Sequence, residues 1–248
     1  MLCRVTFHEE SIRIEINTMK GRQLNLKRTK LADRALPNYT KGEEIMNMVT
    51  HIVGGAFGIA ALVLCIVKSA LHHNMLGLTG SIIYGVSMIN LYTMSSVYHG
   101  LHPNMGKRVL QVLDHCSIYF LIVGTYTPVL LSSFVPVYPA IGWGLLAAEW
   151  TLAILATVLT AIDLHNYRIF SMICYIGMGW GIVLFLKQTL ELIGTAGFLF
   201  LLAGGIAYTI GAVLYGLGSQ KHWMHSVFHI FVVLGSVLQF FCIYLYVI

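Results

Sequence analysis

Two histidines stand four residues apart in an otherwise apolar stretch near the C-terminal end of the chain. They are His225 and His229, within the sequence "HWMHSVFHIF" of residues 222–231. Residues at positions i and i+4 lie one above the other on a helix, so both imidazoles can reach the same ion. Histidines at this spacing are a common zinc arrangement. The pattern therefore predicts two ligands of a metal site on one helical face.

Other ionisable side chains also lie within stretches long and apolar enough to cross a membrane. They are His51, His99, Asp114, His115 and Glu149. Such a group costs several kcal/mol unless it is paired, hydrated or bound to metal, so each is a candidate functional residue. His99 would supply a third ligand and leave the fourth position of a tetrahedral zinc open, which is the catalytic pattern. Asp114 could hold a water on the metal, and Ser95, four residues before His99, could hydrogen-bond that water.

The composition predicts a membrane protein with a polar N-terminal segment. Of the 248 residues, 57% are hydrophobic and 10% are charged, whereas a soluble domain has about 25% charged residues. Fifteen of the 25 charged residues fall in the first 44 positions. We therefore expect a basic cytoplasmic segment, residues 1–44, which is either disordered or contains a small hairpin, and a membrane domain, residues 45–248. The basic segment could contact anionic lipids, and nothing indicates a nucleic-acid partner.

Seven stretches are candidates for membrane spans, since one helical crossing needs about 20 mostly apolar residues. The predicted spans are 45–67, 76–99, 109–131, 138–160, 168–187, 193–216 and 224–247. Only helices and closed barrels satisfy the backbone in lipid, and these stretches are too long and too uniformly apolar for barrel strands. The predicted fold class is an all-α integral membrane protein with seven transmembrane helices.

The distribution of Lys and Arg predicts how these spans are oriented. With the N-terminus inside, 13 of the 15 basic residues lie on the cytoplasmic side, nine of them in residues 1–44. The positive-inside rule then places the N-terminus in the cytoplasm and the C-terminus outside. This orientation brings the three histidine ligands and Asp114 to the cytoplasmic ends of their helices. We expect a multi-pass protein of the bacterial plasma membrane.

Three sequence motifs resemble those of the bacterial hemolysin III family. They are "SSVYHGLHP" in the second span, "DHCSIYFLIVGTYTP" in the third and "HSVFHIFVVLGS" in the seventh. That family is the prokaryotic branch of the progestin and adipoQ receptors, which include the adiponectin receptors and are related to alkaline ceramidases. The resemblance covers residues 43–248 and leaves out residues 1–42.

The resemblance implies a seven-helix bundle with a zinc ion near the cytoplasmic face. The family ligands fall on His99, His225 and His229. The family aspartate that holds the zinc-bound water falls on Asp114, and the family serine one turn before the first ligand falls on Ser95.

Two further features of the spans have open interpretations. Glu44, Asn47 and His51 form an i, i+3, i+7 stripe in the first span, which could face the site or make helix–helix hydrogen bonds. Glu149 lies near mid-membrane in the fourth span, where the sequence favours a structural hydrogen bond.

Three functions are compatible with these residues. The first is a zinc hydrolase in which Asp114 is the general base and the substrate is a lipid amide or ester. The second is a receptor or regulator of membrane state, in which zinc joins the second and seventh helices. The third is a lytic pore, although the spans carry no polar stripe through the full membrane depth. In each case the expected partners are membrane lipids and a lipidic substrate or ligand, and the oligomeric state cannot be read.

Overall fold

The computed structural model describes residues 29–218 and 221–248, and every regular element in these ranges is helical. After a 3-10 turn, Leu31–Asp33, the main helices are α1, Lys41–Leu71; α2, Met75–Gly100; α3, Met105–Val129; α4, Pro139–Ile162; α5, Arg168–Trp180; α6, Leu186–Gly218; and α7, Met224–Cys242. α3 continues through Leu130–Phe134 and Val135–Val137, and α7 continues through Ile243–Val247. The all-α fold class is confirmed.

Residues Leu31–Ile248 form one compact unit. Most of the basic N-terminal segment, including the stretch predicted as a small hairpin or as disordered chain, lies outside the described residues. The division between residues 1–44 and 45–248 therefore stays a prediction.

Side-chain caps explain where the first three long helices begin. Thr40 and Glu43 form a reciprocal capping box at the start of α1, which satisfies two backbone N–H groups that have no partner inside the helix. The side chains of Asn74 and Asn104 accept backbone N–H groups in the first turns of α2 and α3. Short polar linkers therefore end one helix and start the next.

Among the described residues, six helical stretches are long and apolar enough to cross a membrane, and they contain all seven predicted spans except Tyr138, the first residue of the fourth. The predicted fifth and sixth spans both fall within Arg168–Gly218, which has 51 residues. A straight helix of that length would extend about 75 Å, more than twice the roughly 30 Å hydrocarbon core. Gly194 interrupts the stretch with φ 69° and ψ 171°, a conformation that glycine adopts readily. The break falls at the second residue of the predicted sixth span, 193–216, and the count of seven crossings stays a prediction.

Hydrogen bonds to Ser236 tie α7 to two of its neighbours. The Tyr92 hydroxyl on α2 donates to Ser236 Oγ at 2.7 Å, and the Tyr208 hydroxyl on α6 lies 2.8 Å from the same atom. α1 also approaches α2 closely, because a Cβ at Gly54 would lie 2.6 Å from the Tyr92 ring. Small residues at such contacts let helices pack in lipid. These contacts fix α1, α2 and α7 relative to one another.

The orientation of the chain can be tested with reporter fusions that are active on only one side of the membrane. If Arg168–Gly218 crosses twice, a reporter after Ile248 is external and a reporter before Met1 is cytoplasmic, as the Lys and Arg distribution requires. Fusions after Asn74 and after His165 calibrate the assay, since they should be external and cytoplasmic respectively. A cytoplasmic C-terminal reporter would contradict two crossings of this stretch.

Candidate metal centre

Three buried histidines meet at one end of the helical bundle. His99 is in the last turn of α2, and His225 and His229 are in the first two turns of α7. One ligand nitrogen from each lies within 4.8 Å of the others. The three residues are 3%, 7% and 1% exposed, respectively. This group could hold a metal ion with all three imidazoles as ligands.

The hydrogen-bond partner of His99 determines which of its ring nitrogens carries the proton and which has a free lone pair. Glu44 Oε2 on α1 lies 2.6 Å from His99 Nδ1. A carboxylate accepts hydrogen bonds, so Nδ1 carries the proton and donates it. Nε2 is then the nitrogen with a free lone pair, and it is buried without a hydrogen-bond partner among the described residues. A metal-bound histidine commonly donates a hydrogen bond from its other ring nitrogen to a carboxylate.

Lys107 holds the Glu44 carboxylate in place. Its Nζ donates to Glu44 Oε1 at 2.6 Å and to the Leu101 carbonyl at 2.9 Å. The ion pair therefore connects α1 to the first turn of α3 and to the residue that follows α2. Lys107 is 3% exposed, and a buried charge of this kind requires such a partner. In the sequence, Lys107 counts only as one of the 13 basic residues assigned to the cytoplasmic side. Nothing in its spacing indicates a contact with Glu44.

The two histidines of α7 face each other through their Nε2 atoms, which are 3.1 Å apart. Two ligands on one tetrahedral zinc ion, with bonds of about 2.0–2.1 Å, are separated by about 3.3 Å. The observed distance is thus compatible with both nitrogens binding one ion. Together with the unpartnered Nε2 of His99, it supports a donor set that could hold a metal ion.

Asp114 and Ser95 lie beside the histidines on the wall of a cavity of about 160 Å³. His225 and His229 line the same cavity. Asp114 Oδ2 is 3.9 Å from His115 Nδ1, and the Ser95 side chain, in α2, is buried. The roles of Asp114 and Ser95 at a metal stay predictions.

His115 has a structural role. Its Nδ1 donates to the Gln111 carbonyl at 2.7 Å, and its Nε2 accepts from the Tyr215 hydroxyl at 2.9 Å. Both ring nitrogens are therefore occupied by protein groups.

The stripe in α1 faces the three histidines. Besides the Glu44 contact, Asn47 Nδ2 lies 3.4 Å from His99 Nδ1. The His51 ring stacks on His229 with centroids 3.8 Å apart. The i, i+3, i+7 spacing of the stripe indicated that these three side chains share one face of α1. The sequence alone could not tell whether that face contacts the site or makes ordinary helix–helix hydrogen bonds.

Tyr39 is a part of the site that the sequence did not indicate. Its ring stacks on the His225 imidazole, with centroids 4.8 Å apart and planes 14° apart. Burial raises the pKa of the Tyr39 phenol, so the hydroxyl stays protonated at neutral pH. Tyr39 precedes the first helix and belongs to no periodic pattern, which is why sequence reasoning missed it.

Glu149 lies away from this group. It is buried, and its Oε2 has no hydrogen-bond partner among the described residues. Oε1 lies 3.0 Å from where a Cβ at Gly181 would be. The structural hydrogen bond favoured for this residue is thus missing at Oε2.

Loss of the Glu44 carboxylate should weaken metal binding by about 10–100-fold, the usual effect of removing the partner of a metal-bound histidine. We expect this in Glu44→Ala and a smaller effect in Glu44→Gln, whose amide oxygen can still accept from His99 Nδ1. Competition with a metal-binding dye measures the affinity. Glu191→Ala is the control, because Glu191 pairs with the exposed Tyr138 hydroxyl instead. Equal affinities in Glu44→Ala and Glu191→Ala would refute the assignment.

Comparison with known proteins identifies the family of this chain. The family model described as "Haemolysin-III related" matches residues 39–240. Hemolysin-3 of Bacillus cereus is 38% identical over 83% of this chain and 92% of its own length. The Hemolysin-3 homolog of Bacillus subtilis (strain 168) is 35% identical over 84% of this chain and 96% of its own. The human monocyte to macrophage differentiation factor is 25% identical over 66% of this chain and 68% of its own. The chain therefore belongs to the hemolysin III family and is a multi-pass inner membrane protein.

Proposed function

We propose that this protein is a zinc-dependent hydrolase that cleaves an amide or ester bond of a membrane lipid. One observation carries the proposal: three buried imidazoles could hold one metal ion, and two of them, His225 and His229, border an apolar cavity whose wall also contains the carboxylate of Asp114. Ligands, a candidate proton acceptor and space for a lipid are thus adjacent inside a membrane bundle.

The donor set favours zinc in a catalytic site. Three neutral imidazoles leave one tetrahedral position open, as in zinc hydrolytic sites. Zinc in such a site polarises a carbonyl group and lowers the pKa of water to about 7. A dication with only neutral ligands also needs negative charge nearby. Glu44 behind His99 and Asp114 on the cavity wall supply it.

Asp114 is the proposed general base. Its carboxylate lines the cavity beside His225 and His229, where it can accept a proton from the attacking water. The proton of His115 Nδ1 is donated to the Gln111 carbonyl, which leaves the carboxylate available to water. Ser95 lines the same wall, and its hydroxyl can orient that water.

The cavity suits an apolar chain. Its wall runs along α7 from His229 to Gln239, which at 1.5 Å per residue is about 15 Å. Apolar residues that line it include Val232, Leu201 and Ile122. An acyl chain could occupy this length with its carbonyl carbon near the histidines.

The second candidate function is a receptor or regulator in which zinc is a structural clamp. The observation in its favour is that the three ligands come from two helices, α2 and α7, so a metal would tie these helices together. A lytic pore is less well supported, because the cavity wall beyond the histidines is mainly apolar.

Substitution of Asp114 distinguishes the hydrolase from the clamp. Asp114→Asn should keep the metal, with at most about 10–100-fold weaker affinity. Hydrolysis should fall by about 10²–10⁴, the usual contribution of a general base. The measurement is mass-spectrometric analysis of products after the purified protein is incubated with bacterial lipids, with zinc and after chelation.

Glu191→Gln serves as the carboxylate control and should hydrolyse lipid at the parent rate. Full hydrolysis by zinc-loaded Asp114→Asn would contradict the role of Asp114. If the zinc-loaded parent releases no products, the clamp is the better account.

A further inference from the structure

Residues 31–40, which we call the strap, lie across one end of the bundle before α1 begins. Arg34 anchors the strap at two points. Its Nη2 donates to the carbonyl of Ile162, the last residue of α4, at 3.0 Å. Its own carbonyl accepts from Arg108 Nε, in the first turn of α3, at 3.0 Å. The strap is therefore fixed to α3 and α4 at the end of the bundle where the metal centre lies.

The other end of the strap reaches the metal centre itself. Tyr39 covers one face of the His225 imidazole in a nearly parallel stack, at 4.8 Å between centroids. The same ring lies 5.8 Å from the His99 ring, tilted by 50°. Tyr39 thus contacts ligands from both helices that contribute to the centre. The next residue, Thr40, caps α1, so the strap cannot shift without disturbing that helix.

Glu43 fixes the strap relative to α7. While it caps α1 through Thr40, its Oε1 also accepts the Trp223 backbone N–H at 2.6 Å. Trp223 immediately precedes α7 and has a left-handed φ of 67°. One carboxylate therefore joins the start of α1 to the start of α7. This connection keeps Tyr39 in register with His225, two residues after Trp223.

We propose that Tyr39 is a positioning residue of the metal centre. Its ring holds the His225 imidazole in the ligating orientation and closes the centre at the strap end of the bundle, so that ligands reach the metal from the membrane cavity. The inference rests on the three-histidine metal site of the proposed function. Tyr39 is the first residue of the matched family region, residues 39–240, and most of the strap lies before that region.

The physical reason is that a free imidazole can rotate about two side-chain bonds, whereas a stacked one is held. Loss of the ring removes this restraint and opens a path from water to His225. Both effects should speed the release of metal. Because the stack needs an aromatic ring and no hydroxyl, Tyr39→Phe should preserve both functions.

The test measures metal loss to excess chelator from zinc-loaded, full-length protein in detergent, by elemental analysis over time. Tyr39→Ala should release zinc about 10–100-fold faster than the parent, the range expected when the support of a ligand is removed. Tyr39→Phe should behave like the parent. Tyr167→Ala is the matched control, because Tyr167 is a partly buried aromatic before α5 that packs on Phe170.

Release from Tyr39→Ala at the parent rate would overturn the proposal. Equally fast release from Tyr39→Ala and Tyr167→Ala would also overturn it, since the effect would then be general destabilisation. If the parent binds no zinc, the proposed function fails. Labelling with an imidazole-reactive reagent then tests by itself whether Tyr39 shields His225 from water. His225 should be protected in the parent and in Tyr39→Phe and labelled in Tyr39→Ala. Equal labelling of His225 in all three proteins would refute the claim that the Tyr39 ring shields it.

Discussion

The burial of three imidazoles within 4.8 Å of one another is the constraint around which this end of the bundle is organised. Buried polar nitrogens are costly unless each has a partner. Here one nitrogen of His99 is satisfied by Glu44, while its Nε2 is buried without a hydrogen-bond partner among the described residues. A metal ion would satisfy the remaining lone pairs together. Because His99 is near the end of α2 and His225 and His229 are near the start of α7, these two helix ends must lie at the same depth.

The surroundings of the histidines show how four segments maintain that geometry. α1 contributes Glu44 and the stacked ring of His51, and α3 contributes Lys107 as the partner of Glu44. The strap contributes Tyr39. Deeper in the bundle, the hydroxyl of Ser236 connects α7 to α2 and α6. The ligands themselves come from two helices, but their orientation depends on side chains from several others.

The sequence predicted the fold class, and it placed at one depth the three histidines that the structure brings together. Both results have a simple physical reason. Apolar length identifies spans, and a count of Lys and Arg orients them, so residues near span ends can be assigned to a common depth. The i, i+4 spacing of His225 and His229 then places both rings on one face. These rules apply to regular helices and require no knowledge of tertiary contacts.

Other parts of the site lie beyond such rules. Tyr39 is in an irregular segment, and its contact with His225 spans 186 residues of sequence. Lys107 and Glu44 meet across different helices, and no local pattern indicates that pairing. The sequence predicted a boundary between two spans at residues 188–192, close to Gly194, whereas the non-helical backbone of Gly194 inside a continuous helical stretch depends on the three-dimensional fold.

The central claim is that His99, His225 and His229 hold one metal ion. X-ray absorption at the zinc edge, combined with elemental analysis of the purified protein, tests it most directly. We predict about one zinc per chain with nitrogen ligands at about 2.0–2.1 Å, and loss of that signal when His225 and His229 are both replaced by Ala. A parent protein that takes up no zinc, or an unchanged spectrum in the double variant, would contradict the claim.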